Sequence, residues 1–76
     1  MFTFDQLSVI VDALRSSLAD QYEDILECEK SFRMAEDAGE PSGGIALDRE
    51  YARAAYRMTL ATLHEAKDAQ VRLQPD

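Results

Sequence analysis

The sequence predicts an all-α protein: an antiparallel two-helix hairpin that assembles into a helical bundle as a homo-oligomer. Apolar residues recur at alternating spacings of four and three through residues 4–35, a period typical of a helix with a coiled-coil-like seam. Neither Gly nor Pro occurs before Gly39, and a turn-forming segment, residues 39–44, then separates two apolar, periodic segments. We therefore expect residues 1–76 to form a single helical-hairpin domain.

The first helix is predicted to span residues 4–38. Thr3 and Gln6 have the spacing of a capping box, and Gly39 is placed to end the helix after Ala38. A kink or break is most easily accommodated at Ser16-Ser17. The predicted seam contains one polar residue, Gln21, and otherwise consists of Phe4, Leu7, Val11, Leu14, Leu18, Ile25, Cys28, Phe32 and Ala35.

The second helix is predicted over residues 46–73, after a loop at 39–45. Its start is expected between Ile45 and Asp48, and Asp48 is a candidate N-cap. Its apolar surface is wider than the stripe needed to pack against one neighbour, which predicts contact with more than one helix. Two lines of residues form this surface: Leu47, Tyr51, Ala54, Met58 and Ala61; and Ala52, Tyr56, Leu63 and Ala66.

The predicted oligomer follows from the expected lengths of the two helices. Antiparallel folding about residues 39–45 would place residue 32 near 53 and residue 14 near 71, so that helix 1 projects beyond helix 2. The overhang would be apolar, and a second copy is expected to cover it. A kink at Ser16-Ser17 that folds the overhang back is the alternative. The predicted interface residues are Phe2, Phe4, Leu7, Ile10, Val11 and Leu14.

The net charge is −7, and its excess lies in the first helix. Residues 1–40 carry ten carboxylates against three basic side chains, which argues against duplex nucleic acid as a main partner. The predicted face for a basic protein partner consists of Asp20, Glu23, Asp24 and Glu27, although such a strip is also typical of a solvated helix face. With no apolar run of membrane-spanning length and no signal-peptide pattern, we expect no membrane association and a cytoplasmic location.

An arginine ladder at Arg49, Arg53 and Arg57 is the one candidate ligand site. Stacked like charges favour nearby anions, either the helix 1 acids Asp24, Glu27 and Glu29 or a bound anionic ligand such as a cyclic nucleotide. His64 is alternatively expected to face Gln21 as a register-setting polar pair. No metal, cofactor or catalytic residue is predicted. The candidate ligand-binding residues are Arg53, Arg57, Tyr51, Tyr56 and His64.

The opening FTFDQLSVIVDALRSSL, with its Thr cap followed by an apolar helix, resembles the start of small phage-encoded helical hairpin proteins. The resemblance implies a phage accessory protein in the host cytoplasm, a class that includes inhibitors of host defence proteins and sponges for cyclic nucleotides. The sequence as a whole leaves three hypotheses open: a non-enzymatic oligomeric binding protein that inhibits a host protein, a sponge for an anionic ligand between subunits, and a structural oligomerisation module.

Overall fold

The computed structural model describes residues 1–74, which form two helices, α1 (Phe4–Ala38) and α2 (Gly43–Leu73). The helices pack along one another as an antiparallel hairpin with extents of 59 × 17 × 14 Å. The predicted all-α hairpin is therefore confirmed. α1 is a single uninterrupted helix through Ser16-Ser17, so the alternative in which the chain breaks there and folds back is wrong.

Both ends of α1 are closed as the sequence predicts. The Gln6 amide donates to Thr3 Oγ1 at 3.1 Å, and the Thr3 amide donates to Gln6 Oε1 at 2.9 Å, which completes the capping box. At the other end Gly39 adopts φ +70°, and the amides of Gly39 and Glu40 donate to the carbonyls of Glu36 and Ala35. This pair of bonds is a Schellman motif, which turns the chain sharply.

The second helix begins earlier than predicted, at Gly43 rather than at residue 46, and Ser42 rather than Asp48 is its N-cap. The Ser42 hydroxyl donates to Glu36 Oε1 at 2.7 Å, which ties the short connection back to α1. Gly43 and Gly44 occupy the first turn of this helix, although glycine forms helix less readily than alanine. The next two residues, Ile45 and Ala46, are partly buried.

The shorter turn changes the register between the helices, and the predicted register is wrong. Residue 29 lies beside 53, residue 32 beside 49, and the side-chain Nε2 of Gln70 donates to Ser8 Oγ at 2.8 Å. α2 therefore extends along α1 to its first turns. The predicted overhang of α1 does not exist. In an antiparallel hairpin the numbers of two facing residues sum to twice the residue number at the turn centre. A turn centred earlier in the chain therefore brings the last residues of α2 alongside the first turns of α1.

The tightest packing lies near the chain ends, in the half of the hairpin away from the turn. Leu7 and Val11 of α1 are buried against Leu63 and Ala66 of α2. Partly buried apolar side chains surround this cluster: Ile10, Leu14, Leu18 and Ala69. In the half nearer the turn, contacts between the helices are more polar and aromatic, with Ala35 the buried residue there.

Candidate functional site

The predicted partner face lies on the outer side of α1. Asp20, Glu23, Asp24 and Glu27 are all exposed, and within residues 1–74 none of them takes part in an ion pair. Their spacing of three and four keeps the carboxylates on one side of the helix, roughly opposite the buried Leu7 and Val11. The arrangement presents a strip of negative charge to solvent that is available to a basic surface.

Two arginines of the ladder are engaged inside the hairpin. Arg53 forms an ion pair with Glu29 across the helices at 2.5 Å and a longer contact with Glu50 at 3.5 Å. The Arg49 guanidinium lies 4.3 Å from the centre of the Phe32 ring, a cation–π contact. The alternative in which the ladder pairs with α1 is thus confirmed for Arg53 and Glu29.

The ion pair shifts the acid–base behaviour of both partners. The hydrogen bond from Arg53 lowers the pKa of the Glu29 carboxyl below its ordinary value of 4.5, and the positive charges of Arg33 and Arg49 act in the same direction. The hydrogen bond to Glu29 raises the pKa of Arg53 above its ordinary value. The hydrogen bond to Glu29 orients the Arg53 guanidinium toward α1, although the side chain remains 39% exposed.

The five candidate ligand-binding residues do not converge on one pocket. Tyr51 is 67% exposed and lies two positions from Arg53, a rotation of about 200° that places it on the far side of α2. Tyr56 faces α1, where its ring centre is 6.3 Å from that of Tyr22. Arg57 and His64 are exposed, and neither forms an ion pair within the described chain. A ligand held by these residues between subunits stays a prediction.

The predicted pair of Gln21 and His64 is also wrong. The side chain of Gln21 lies by Ala52 and Ala55, more than two helical turns before His64. Its Oε1 atom is buried and makes no hydrogen bond within residues 1–74. The error follows from the register, because the predicted turn centre placed residue 21 opposite residue 64.

The observed register buries some of the predicted oligomer-interface residues within the hairpin and leaves others exposed. Leu7 and Val11 are buried against α2 of the same chain, and Ile10 and Leu14 pack partly against that cluster. Phe2 and Phe4 remain 58% and 40% exposed at the open end. There Phe2 lines a shallow apolar cleft together with Leu7, Ala69 and Leu73.

One of the two predicted apolar lines of α2 lies on the side of the helix that faces away from α1. Leu47, Tyr51 and Met58 are 55%, 67% and 72% exposed, and Ala54 and Ala61 lie between and beyond them at heptad spacing. The signal for this surface was the excess apolar width of α2. We call it the outer stripe of α2, comprising Leu47, Tyr51, Ala54, Met58 and Ala61.

Comparisons with known proteins do not place the chain in a family: no family model, no curated protein and no solved structure matches it. Within residues 1–74, neither helix contains a stretch with the length and hydropathy that a membrane span requires. The same residues contain no group of three or more His, Cys, Asp or Glu side chains arranged to hold a metal ion.

Proposed function

We propose that this protein is a non-enzymatic helical binding protein that engages a basic surface of another protein through the outer face of α1. The supporting observation is the acidic strip of Asp20, Glu23, Asp24 and Glu27, which is exposed and unpaired within residues 1–74. Opposite charge on a partner would steer association and select the partner. The resemblance of the opening segment to phage hairpin proteins makes a host defence protein in the cytoplasm the proposed target.

Protein binding is preferred over ligand sequestration because of where the charges lie. A sponge for an anionic ligand needs arginines free to bind phosphate. Arg53 instead bonds Glu29, and Tyr51 points away from it. The four carboxylates of the acidic strip form no ion pair within the described chain, so their charge is directed outward.

Charge reversal on the acidic strip tests the proposal. The double variant E23K/E27K replaces two exposed carboxylates, so it leaves the contacts between the helices intact. We expect it to lose at least about tenfold in affinity for a protein captured from host lysate by the wild-type chain. We also expect capture by the wild-type chain to weaken steeply as salt rises. Binding is measured by titration calorimetry or surface plasmon resonance with the purified captured protein.

The matched control is D12K/D37K, which changes net charge by the same amount at exposed positions outside the strip. It should retain wild-type affinity to within about threefold. Equal loss in both double variants would show that only net charge matters, and unchanged capture by E23K/E27K would remove the strip from the binding site.

A further inference from the structure

The outer stripe of α2 has the form of a second coiled-coil seam. Its residues follow one another at spacings of four, three, four and three over about 21 Å of helix. α1 covers the other side of α2, where Leu63 and Ala66 are buried, so the stripe has no partner within residues 1–74. Glu65, one turn beyond Ala61, ends its apolar character.

The order of side-chain sizes along the stripe fits a second copy running in the opposite direction. In an antiparallel pair with residue numbers that sum to 105, Tyr51 lies opposite Ala54 of the second copy, and Leu47 lies opposite Met58. Each bulky tyrosine then meets a small alanine, which interdigitates well. A parallel pair would instead place tyrosine against tyrosine and alanine against alanine, leaving gaps beside overcrowded layers.

The charges that flank the stripe select the same register. Glu50 and Arg57 lie seven residues apart along one edge, at positions that face each other in antiparallel seams. In the register above, Glu50 of each copy lies beside Arg57 of the other, which gives two opposite-charge pairs. Sliding by one heptad in either direction would bring Arg57 against Arg57 or Glu50 against Glu50. Arg57 makes no ion pair within its own described chain, which leaves it free for this role.

We propose that two copies of this chain dimerise through the outer stripes of α2, antiparallel, with Tyr51 packed against Ala54 and Glu50 paired with Arg57 across a two-fold axis. The interface is isologous and closed, because each copy offers the same surface. It leaves the acidic strip of α1 exposed on both copies. The dimer is therefore independent of the proposed target and presents two target-binding faces.

A charge swap on the purified protein tests the dimer. Sedimentation equilibrium between about 1 and 200 µM should show a monomer–dimer equilibrium for the wild-type chain, as expected for a small interface. R57E and E50R should each weaken dimerisation by at least about tenfold, because each creates two like-charge contacts. The combined variant E50R/R57E restores opposite charges and should regain wild-type dimerisation to within about threefold.

The matched control is K67E, which makes the same charge change as R57E at an exposed position off the stripe and should dimerise like the wild type. Circular dichroism should show unchanged helicity for every variant. A monomer throughout the concentration range would overturn the proposal. So would a dimer that R57E leaves intact, a combined variant no better than the single ones, or a dimer dissociated by F4K at the open end. Because no target is present, these outcomes do not bear on the acidic strip.

Discussion

The ion pair between Arg53 and Glu29 determines that this arginine binds an acid of α1. The sequence indicated that the arginine ladder needs anions, but it could not choose between internal acids and a bound ligand, because both satisfy the same electrostatic need. The ion pair with Glu29 settles the choice for Arg53. Tyr51 and Tyr56 present the same difficulty: both lie on the wide apolar surface, and only packing separates the exposed from the part-buried ring.

The Glu29–Arg53 ion pair gives a pH-dependent stability that E29Q should lose. The pKa of Glu29 is lowered on folding, so its contribution is fully present above the unfolded value of 4.5 and disappears as pH falls through the lower folded value. The free energy of unfolding from urea denaturation should therefore fall more for the wild type than for E29Q between about pH 6 and pH 3. The effect is small because both side chains are partly exposed, at 39% and 30%.

The control for this measurement is E50Q, which removes the longer contact of Arg53 at 3.5 Å. It should keep nearly the wild-type pH dependence. Identical pH profiles for the wild type and E29Q would mean that the cross-helix pair contributes nothing to folding.

At the scale of the elements, the turn determines how the two helices face each other. Thr3, Gln6 and Gly39 have strong local signals, and the bounds of α1 match residues 4–38 as predicted. The start of α2 has no such signal, since Gly43-Gly44 suggests a loop while the partial burial of Ile45 and Ala46 favours a helix. Tertiary packing overrides propensity at this point, and a three-residue error there displaced the predicted register and produced a false overhang.

Alanine substitutions at two glycines test whether backbone conformation, rather than the space for a side chain, determines the effect on stability. Neither Gly39 nor Gly44 has an atom within 4 Å of an added Cβ, but only Gly39 has a positive φ, of +70°. Gly39→Ala should lower the free energy of unfolding by about 1–2 kcal/mol because it places a Cβ in the left-handed region. Gly44→Ala should raise it by up to about 1 kcal/mol, since the helix gains an alanine.

Urea denaturation of both glycine variants at one fixed protein concentration makes the comparison. If the two alanines had the same effect, the Schellman motif would not constrain the turn in solution.

Over the length of the hairpin, the buried apolar contacts between the helices are concentrated in the half away from the turn. Leu7, Val11, Leu63 and Ala66 form the buried cluster, whereas the other half relies on contacts such as Phe32 with Arg49. The sequence predicted correctly that the apolar seam of α1 packs against α2. It could not show which part of the seam would be tightly covered, because that depends on the register rather than on the residues of α1.

Leu63→Ala tests this distribution. Truncating a buried leucine typically costs about 2–5 kcal/mol. We expect a value near the lower end, because an open cleft lined by Leu7, Ile10 and Ala66 lets the neighbours relax. Val71→Ala, at a position 67% exposed on the same helix, should change stability by less than about 0.5 kcal/mol. If the two variants lowered the free energy of unfolding equally in denaturant, the buried cluster would not be the main source of stability.

The candidate surfaces were predictable to different degrees. The acidic strip follows directly from Asp20, Glu23, Asp24 and Glu27, because helical spacing alone sets their common side. The predicted pairing of Gln21 with His64 was wrong, because it depended on the register between the two helices. The outer stripe of α2 was visible as surplus apolar width, but the structure was needed to show which of its two lines α1 leaves uncovered.

The contact between Ser8 and Gln70 has a practical consequence for labelling. It holds the start of α1 and the end of α2 side by side, so a fluorophore or affinity tag joined at either end of the described chain is carried by the same tip of a 59 Å rod. The opposite tip, formed by the turn, is left clear of both attachments. Energy transfer between dyes at the two ends would therefore report directly on whether the hairpin is closed.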